Sequence, residues 1–148
     1  AAYFYRRSQK GGFDAVLMTQ GMEAIMANMD AIETNENASD KDEDLLTTME
    51  VVYEYYLRGF DFLPIDIYKS HATKFLVEDG KILPPFVAIS GLGENAAWDL
   101  MRGREGKTFL SIEEVAAACP KVSKTHIQML KDAGAFGSLP DTSQISLF

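Results

Sequence analysis

The stretch that most constrains this chain is Ile89-Ser90-Gly91-Leu92-Gly93. The apolar Val87 and Ala88 lead into it, and Glu94-Asn95-Ala96-Ala97 follows. The pattern predicts a tight turn between two helices, with Leu92 plugged into the groove between them. Gly91 and Gly93 are expected in backbone angles closed to other residues. Lacking side chains, they also let a ligand approach the main chain closely. The first amides of the second helix have no intrahelical partner, and free N–H groups and the helix dipole together favour an anion. A phosphate is the natural guest, and a plain turn between packed helices is the alternative. No third glycine follows at the spacing of a dinucleotide-binding loop, and the stretch has no Gly-Lys-Ser/Thr.

Charge decides how such a site would work. The 148 residues carry a net charge of −8, which at first sight opposes nucleic-acid binding. The charge is unevenly placed. Residues 1–80 hold 7 Lys/Arg and 15 Asp/Glu, whereas residues 81–148 hold 7 of each. The half with the glycine turn is therefore neutral, and a grip on nucleic acid there would rest on amides and a few cations, with modest salt dependence. The 47% hydrophobic and 11% aromatic content suits one or two small folded domains. No apolar run approaches the ~20 residues of a membrane span, and no secretory signal is visible. The single Cys119 allows no internal disulfide, so a reducing cytoplasm is expected. The opening Ala1-Ala2-Tyr3-Phe4-Tyr5 reads as the middle of an element, and the chain as a piece of a longer protein.

Along the chain, apolar residues at 17, 18, 22, 25, 26, 29 and 32 predict a methionine-rich helix from Leu17. Asp40, Asp42 and Asp44 alternate, but Leu45 and Val51 stand where a calcium loop needs glycine and glutamate. Ser39-x-x-Asp42 instead predicts the capped start of a helix that runs through Leu57 and stops at Gly59. Phe60–Leu63 predicts a short strand. Asp79-Gly80 predicts a two-residue hairpin between strands at 73–78 and 81–83. With His71 and His126 as the chain's histidines and no second Cys, a zinc site is not expected. Pro85 is expected to open a short helix to Ile89, and Glu94 a second one to about Arg102. Arg102, Arg104 and Lys107 then either flank a phosphate track or solvate a helix end.

Ser111–Ala118 and Lys124–Ala133 predict a second pair of helices. Lys121-Val122-Ser123 lies where Gly91-Leu92-Gly93 lay. The apolar plug is kept and both glycines are lost, so this copy is expected to be mainly structural, with Lys121 and Lys124 adding charge. The exit at Leu139–Ser143 is polar, but Gln144-Ile145-Ser146-Leu147-Phe148 ends on two large apolar residues. That suggests either docking into a partner's groove or folding back on the parent domain.

The spacing around Gly91 and Gly93 resembles the helix-hairpin-helix motif, a family that grips the sugar-phosphate backbone of duplex DNA. Gly59-Phe60-Asp61-Phe62-Leu63-Pro64-Ile65-Asp66, the Asp-Gly hairpin, Ile89–Ala97 and Leu130–Phe136 occur here in one order. That series resembles the C-terminal region of bacterial replicative DNA polymerase III α subunits, and the two termini resemble the PolC type. The resemblance implies a mainly α fold with a small β-hairpin. Residues 1–58 would be the distal fingers domain, 59–139 a duplex-binding domain with tandem helix-hairpin-helix, and 140–148 a tail. It implies DNA contacts at Ser90, Gly91, Leu92, Gly93, Asn95, Arg102, Arg104, Lys107, Lys121, Ser123 and Lys124. It also implies a sliding-clamp contact through Gln144, Ile145, Ser146, Leu147 and Phe148. A monovalent cation at the carbonyls of Val87, Ile89 and Leu92 would bridge to phosphate. The magnesium-binding catalytic carboxylates of such an enzyme belong to a palm domain that this sequence does not contain. The expected partners are primer-template duplex, the clamp and the other polymerase domains, with the chain itself a monomer. The rivals are a free-standing helix-hairpin-helix repair or scaffold module, and a protein-interaction domain that never meets DNA.

Overall fold

The computed structural model describes residues 2–9 and 12–142. Four helices come first: α1 (Ala2–Gln9), α2 (Ala15–Met18), α3 (Met22–Glu33) and α4 (Asp40–Leu57). A two-stranded hairpin follows, β1 (Leu76–Glu78) and β2 (Lys81–Leu83), then a 3₁₀ turn (Phe86–Ala88). Three helices complete the chain: α5 (Glu94–Arg104), α6 (Ile112–Ala118) and α7 (Lys124–Asp132). The fold is mainly α with a small sheet, as the sequence predicts.

Helix α4 begins and ends where its residues dictate. The Ser39 hydroxyl accepts from the Asp42 amide and the Asp42 carboxylate accepts from the Ser39 amide, with Asp40, Asp42 and Glu43 in the first turn. At the other end Gly59 takes φ 84°, the Phe60 amide bonds the Tyr55 carbonyl (3.2 Å) and the Gly59 amide bonds that of Tyr56 (3.0 Å). This is a Schellman stop. The inner face buries Leu45, Met49, Val52 and Tyr56.

Several expectations change: the first strand begins at Leu76 and not at residue 73, the helix expected from Pro85 to Ile89 is a 3₁₀ turn, and two elements are lost. The stripe from Leu17 is not one helix: it breaks between Met18 and Met22, where Gly21 takes φ 100°, an angle no right-handed helix holds. The Tyr56 hydroxyl splints the break, donating to the Met18 carbonyl (2.9 Å) and accepting from the Gly21 amide (3.3 Å). Phe60–Leu63 is not a strand either. Phe62 makes one isolated parallel bridge to Ile82, and Pro64, which has no amide to donate, follows at once. The hairpin itself pairs Leu76 with Leu83 through Glu78 with Lys81. Asp79 (φ 52°) and Gly80 (φ 75°) form its type I′ turn.

One continuous core joins the early helices to the later ones. Phe4 is its aromatic hub, with ring centroids 5.4 Å from Phe13, 5.9 Å from Tyr55, 5.5 Å from Phe62 and 6.0 Å from Phe75. Arg7 ties α1 to α4 through Thr48 Oγ1 (2.7 Å) and the Asp44 carbonyl (2.6 Å). Further on, Phe86, Leu100, Val115 and Leu130 are fully buried. The exit segment folds back over α6, whose Ile112 and Glu113 amides donate to the carbonyls of Pro140 (2.9 Å) and Asp141 (3.1 Å). No helix among the described residues is long and apolar enough to cross a membrane.

Candidate nucleic-acid interface

The glycine turn sits between the 3₁₀ turn and α5. It closes with the Leu92 amide on the Ile89 carbonyl (3.1 Å), and Gly91 takes φ 91° at the third position, as a type II turn requires. Gly93 departs from the expectation. Its φ of −77° and ψ of 169° are open to any residue. What its missing side chain provides is room, since a Cβ built there meets nothing within 4 Å. Leu92 is the predicted plug, 3% exposed, while Ser90, Gly91, Gly93, Glu94 and Asn95 are exposed.

Gly93 is the N-cap of α5 and offers no side-chain cap. Among the described residues, nothing accepts from the amides of Gly91, Gly93, Glu94 or Asn95. These are the outward-facing donors that the anion-site argument needs. Glu94 stands among them as a nearby negative charge. The turn also lines a cleft of about 510 Å³ with Val87 and Ile89; the opposite wall is Phe13, Asp14, Lys41, Asp42 and Leu45. Asp14 caps α2 there, and burial raises its carboxyl above the usual range despite the amides of Leu17 and Val16. Asp14 and Asp42 are both engaged as helix caps and Lys41 lies beside them, so the lining carries charge of both signs; Val87, Ile89 and Leu92 line the same space. The Ile89 carbonyl already accepts from Leu92 and keeps its second lone pair.

The second turn is built on the same plan. The Val122 amide bonds the Cys119 carbonyl (3.0 Å), Val122 is the buried plug at 7% exposure, and Ser123 caps α7 at φ −79° and ψ 170°. The Lys121, Ser123 and His126 amides, however, are engaged, while those of Lys124 and Thr125 at the start of α7 stay open among the described residues. The Ser123 hydroxyl accepts from the His126 amide (3.1 Å), and His126 Nδ1 accepts from the Ser123 amide (3.1 Å). The Lys121 amide donates to Asp99 Oδ2 (2.8 Å). Asp99 lies on α5 with its side chain 3% exposed and also pairs with Arg102 (2.8 Å). Burial by itself would raise the Asp99 carboxyl. The Lys121 amide and the Arg102 guanidinium outweigh it and hold the carboxyl below its ordinary value.

The expected cations divide in the same way. Lys121 and Lys124 are exposed. Arg102 is exposed but bonded to Asp99 and to the Ala118 carbonyl (2.9 Å). Arg104 is turned inward, donating to the carbonyls of Ile67 (3.1 Å) and Ser70 (2.6 Å) with its guanidinium 5.7 Å from the Phe86 ring. Lys107 is exposed beyond the far end of α5. The 11 residues of α5 put that end about 16 Å from the glycine turn at 1.5 Å per residue. The structure therefore gathers Ser90, Gly91, Leu92, Gly93 and Asn95 into one place and sets Arg104 and Lys107 apart from it. Residues 144–148 lie outside the described residues. Asp99 was not visible as a site residue, because an acid on a helix reads as surface until its partners are seen.

Two helix–turn–helix units thus stand in tandem, and the turn of the first leaves its Gly91 and Gly93 amides open. A family model described as "Helix-hairpin-helix motif" matches residues 59–145, and the chain belongs to that family. It is similar along its whole length to a DNA polymerase III PolC-type of Bacillus cereus, 41% identical over 149 residues and covering 10% of that protein. A Thermotoga petrophila protein of the same description is 41% identical over 150 residues, with all of this chain and 11% of the relative covered. One from Streptococcus suis is 41% identical over 150 residues, with 99% and 10% covered. The chain thus spans about a tenth of the length of the curated relatives it matches, and the PolC resemblance extends across it.

Proposed function

We propose that this chain grips the sugar-phosphate backbone of duplex DNA for a replicative polymerase of the PolC type. Residues 1–58 serve as the distal fingers, 59–139 as the duplex-binding part and 140–148 as a tail that docks on the sliding clamp. The observation that carries the reading is the set of exposed, uncapped amides from Gly91 to Asn95. Amides meet every phosphate alike, which suits an enzyme whose product passes in any sequence. Ser90 and Asn95 lie beside them, and Lys121 and Lys124 add charge from the second unit. A monovalent cation held by the carbonyls of Val87, Ile89 and Leu92 would offset part of the phosphate charge. The setting is cytoplasmic, and the clamp contact raises the local concentration of DNA by tethering.

The experiment is a titration of the chain with a short mixed-sequence duplex, followed by anisotropy. Binding should be weak and indifferent to sequence. Gly93→Val is the cleaner block, since its backbone angles are ordinary and its side chain enters open space where the phosphate would lie. Gly91 is strained for any substitution, with a Cβ 2.9 Å from Met129 Cε. Unchanged binding by Gly93→Val would remove the phosphate role. Deleting 144–148 should spare DNA binding and lose the clamp in a pull-down.

One observation favours a second reading, a protein-interaction surface. Residues 15–58 hold ten acidic and two basic residues, so the net −8 of the whole chain lies in α2–α4 and the loops between them. That end repels nucleic acid and must face something else. A failed duplex titration would promote this reading.

A further inference from the structure

Trp98 is the chain's only tryptophan, and it is 47% exposed on α5. An indole left in water beside a bare helix start needs a reason. Trp98 follows Glu94 by four residues and Asn95 by three, so all three share one face of the helix. Helical side chains lean toward the N-terminus, so the ring is inclined toward the first turn, where the open amides are. Its placement is fixed from the other side too. His71 meets it edge-on, with centroids 5.2 Å apart. His71 is itself held, because its Nδ1 accepts from the amides of Thr73 (3.0 Å) and Lys74 (3.1 Å). The carbonyls of His71 and Ala72 accept from Phe86 (3.0 Å) and Val87 (3.2 Å), the residues that lead into the glycine turn. The indole is thus attached to both arms of the hairpin.

From this geometry we infer that Trp98 is a DNA-contact residue, packing its exposed ring against the deoxyribose next to the phosphate held by the Gly91–Asn95 amides. The inference rests on the backbone-binding reading and adds an apolar contact to it. A phosphate gripped by amides alone can swivel. A flat ring against the neighbouring sugar fixes the strand's direction across the hairpin, and does so without reading bases.

The single tryptophan reports on itself. Titrating the 148-residue chain with a short mixed-sequence duplex should change its indole emission, saturating at the same concentrations as the anisotropy. Trp98→Ala should weaken binding about ten-fold, the effect of re-exposing a few tens of Å² of apolar surface. The slope of affinity against salt should not move, because no ion pair is lost. Trp98→Phe, which keeps a ring beside His71, should retain most of the affinity. If emission stays constant and Trp98→Ala binds like the parent while Gly93→Val abolishes binding, the tryptophan contact is refuted and the hairpin reading stands. If the parent chain binds no duplex, both fall. An emission change that survives in Gly93→Val would place the ring's contact elsewhere and overturn the inference.

Discussion

Gly93 and Ser123 cap their helices at nearly the same angles, −77°/169° and −79°/170°, and both turns close through the same bond, Leu92 to Ile89 and Val122 to Cys119. Their amides have different fates. Asp99 stands six residues beyond Gly93, and Met129 six beyond Ser123. Each equivalent residue reaches across to the other unit's turn: Asp99 accepts from the Lys121 amide, while Met129 lies over Gly91. A carboxylate at this position occupies a turn's donor and a thioether leaves it open. On one backbone plan, the Lys121 and Ser123 amides are engaged and the equivalent Gly91 and Gly93 amides are open, through a change at the cap and a change at one crossing residue.

The strongest way to break this comparison is Met129→Asp. A carboxylate facing the first turn should compete with phosphate and cut duplex affinity at least ten-fold by anisotropy, the order expected for a charge that repels the ligand at hydrogen-bond range. Unchanged affinity would sink the claimed equivalence. Next is Asp99→Ala, which orphans the Lys121 amide and one partner of Arg102. It should cost about 2 kcal/mol in urea unfolding, less than a fully buried pair because Arg102 can turn to water.

The same carboxyl predicts an acid limb. Its folded pKa lies below the ordinary 3.8, so its contribution is present above that pH and is lost as pH falls through the folded value. Stability followed by circular dichroism from pH 6 downward (about two units above the free carboxylate) should drop less steeply in Asp99→Asn. Ser123→Ala should cost about 1 kcal/mol and leave duplex binding alone. The converse, Gly93→Ser, should add a few tenths of a kcal/mol while weakening the duplex, because the new hydroxyl takes a donor that the phosphate uses. The smallest effect is expected from Glu94→Gln, a gain in affinity of about two-fold from removing one partly screened negative charge.

How much of this was legible depended on whether the signal was local. The Ser39–Asp42 box, the Gly59 stop, the Asp79-Gly80 turn and the plugs Leu92 and Val122 each act within a few residues of themselves, and the sequence shows them. The break at Gly21 was hidden because the apolar spacing runs straight through it; the splint is Tyr56, 35 residues away. The fates of the cations were hidden for a similar reason. Arg104 looks like Lys107 in the sequence, but carbonyls from the 67–70 loop claim it. Gly93 was readable as room beside the main chain, but the unusual backbone expected of it is absent: its angles are ordinary, and a side chain there would enter open space.

The ring cluster around Phe4 has a mechanical consequence. Phe4, Phe13 and Tyr55 interlock with Phe62 and Phe75, so residues on both sides of position 58 share one aromatic core. Cutting the chain near residue 58 would leave sticky phenylalanines bare on both pieces.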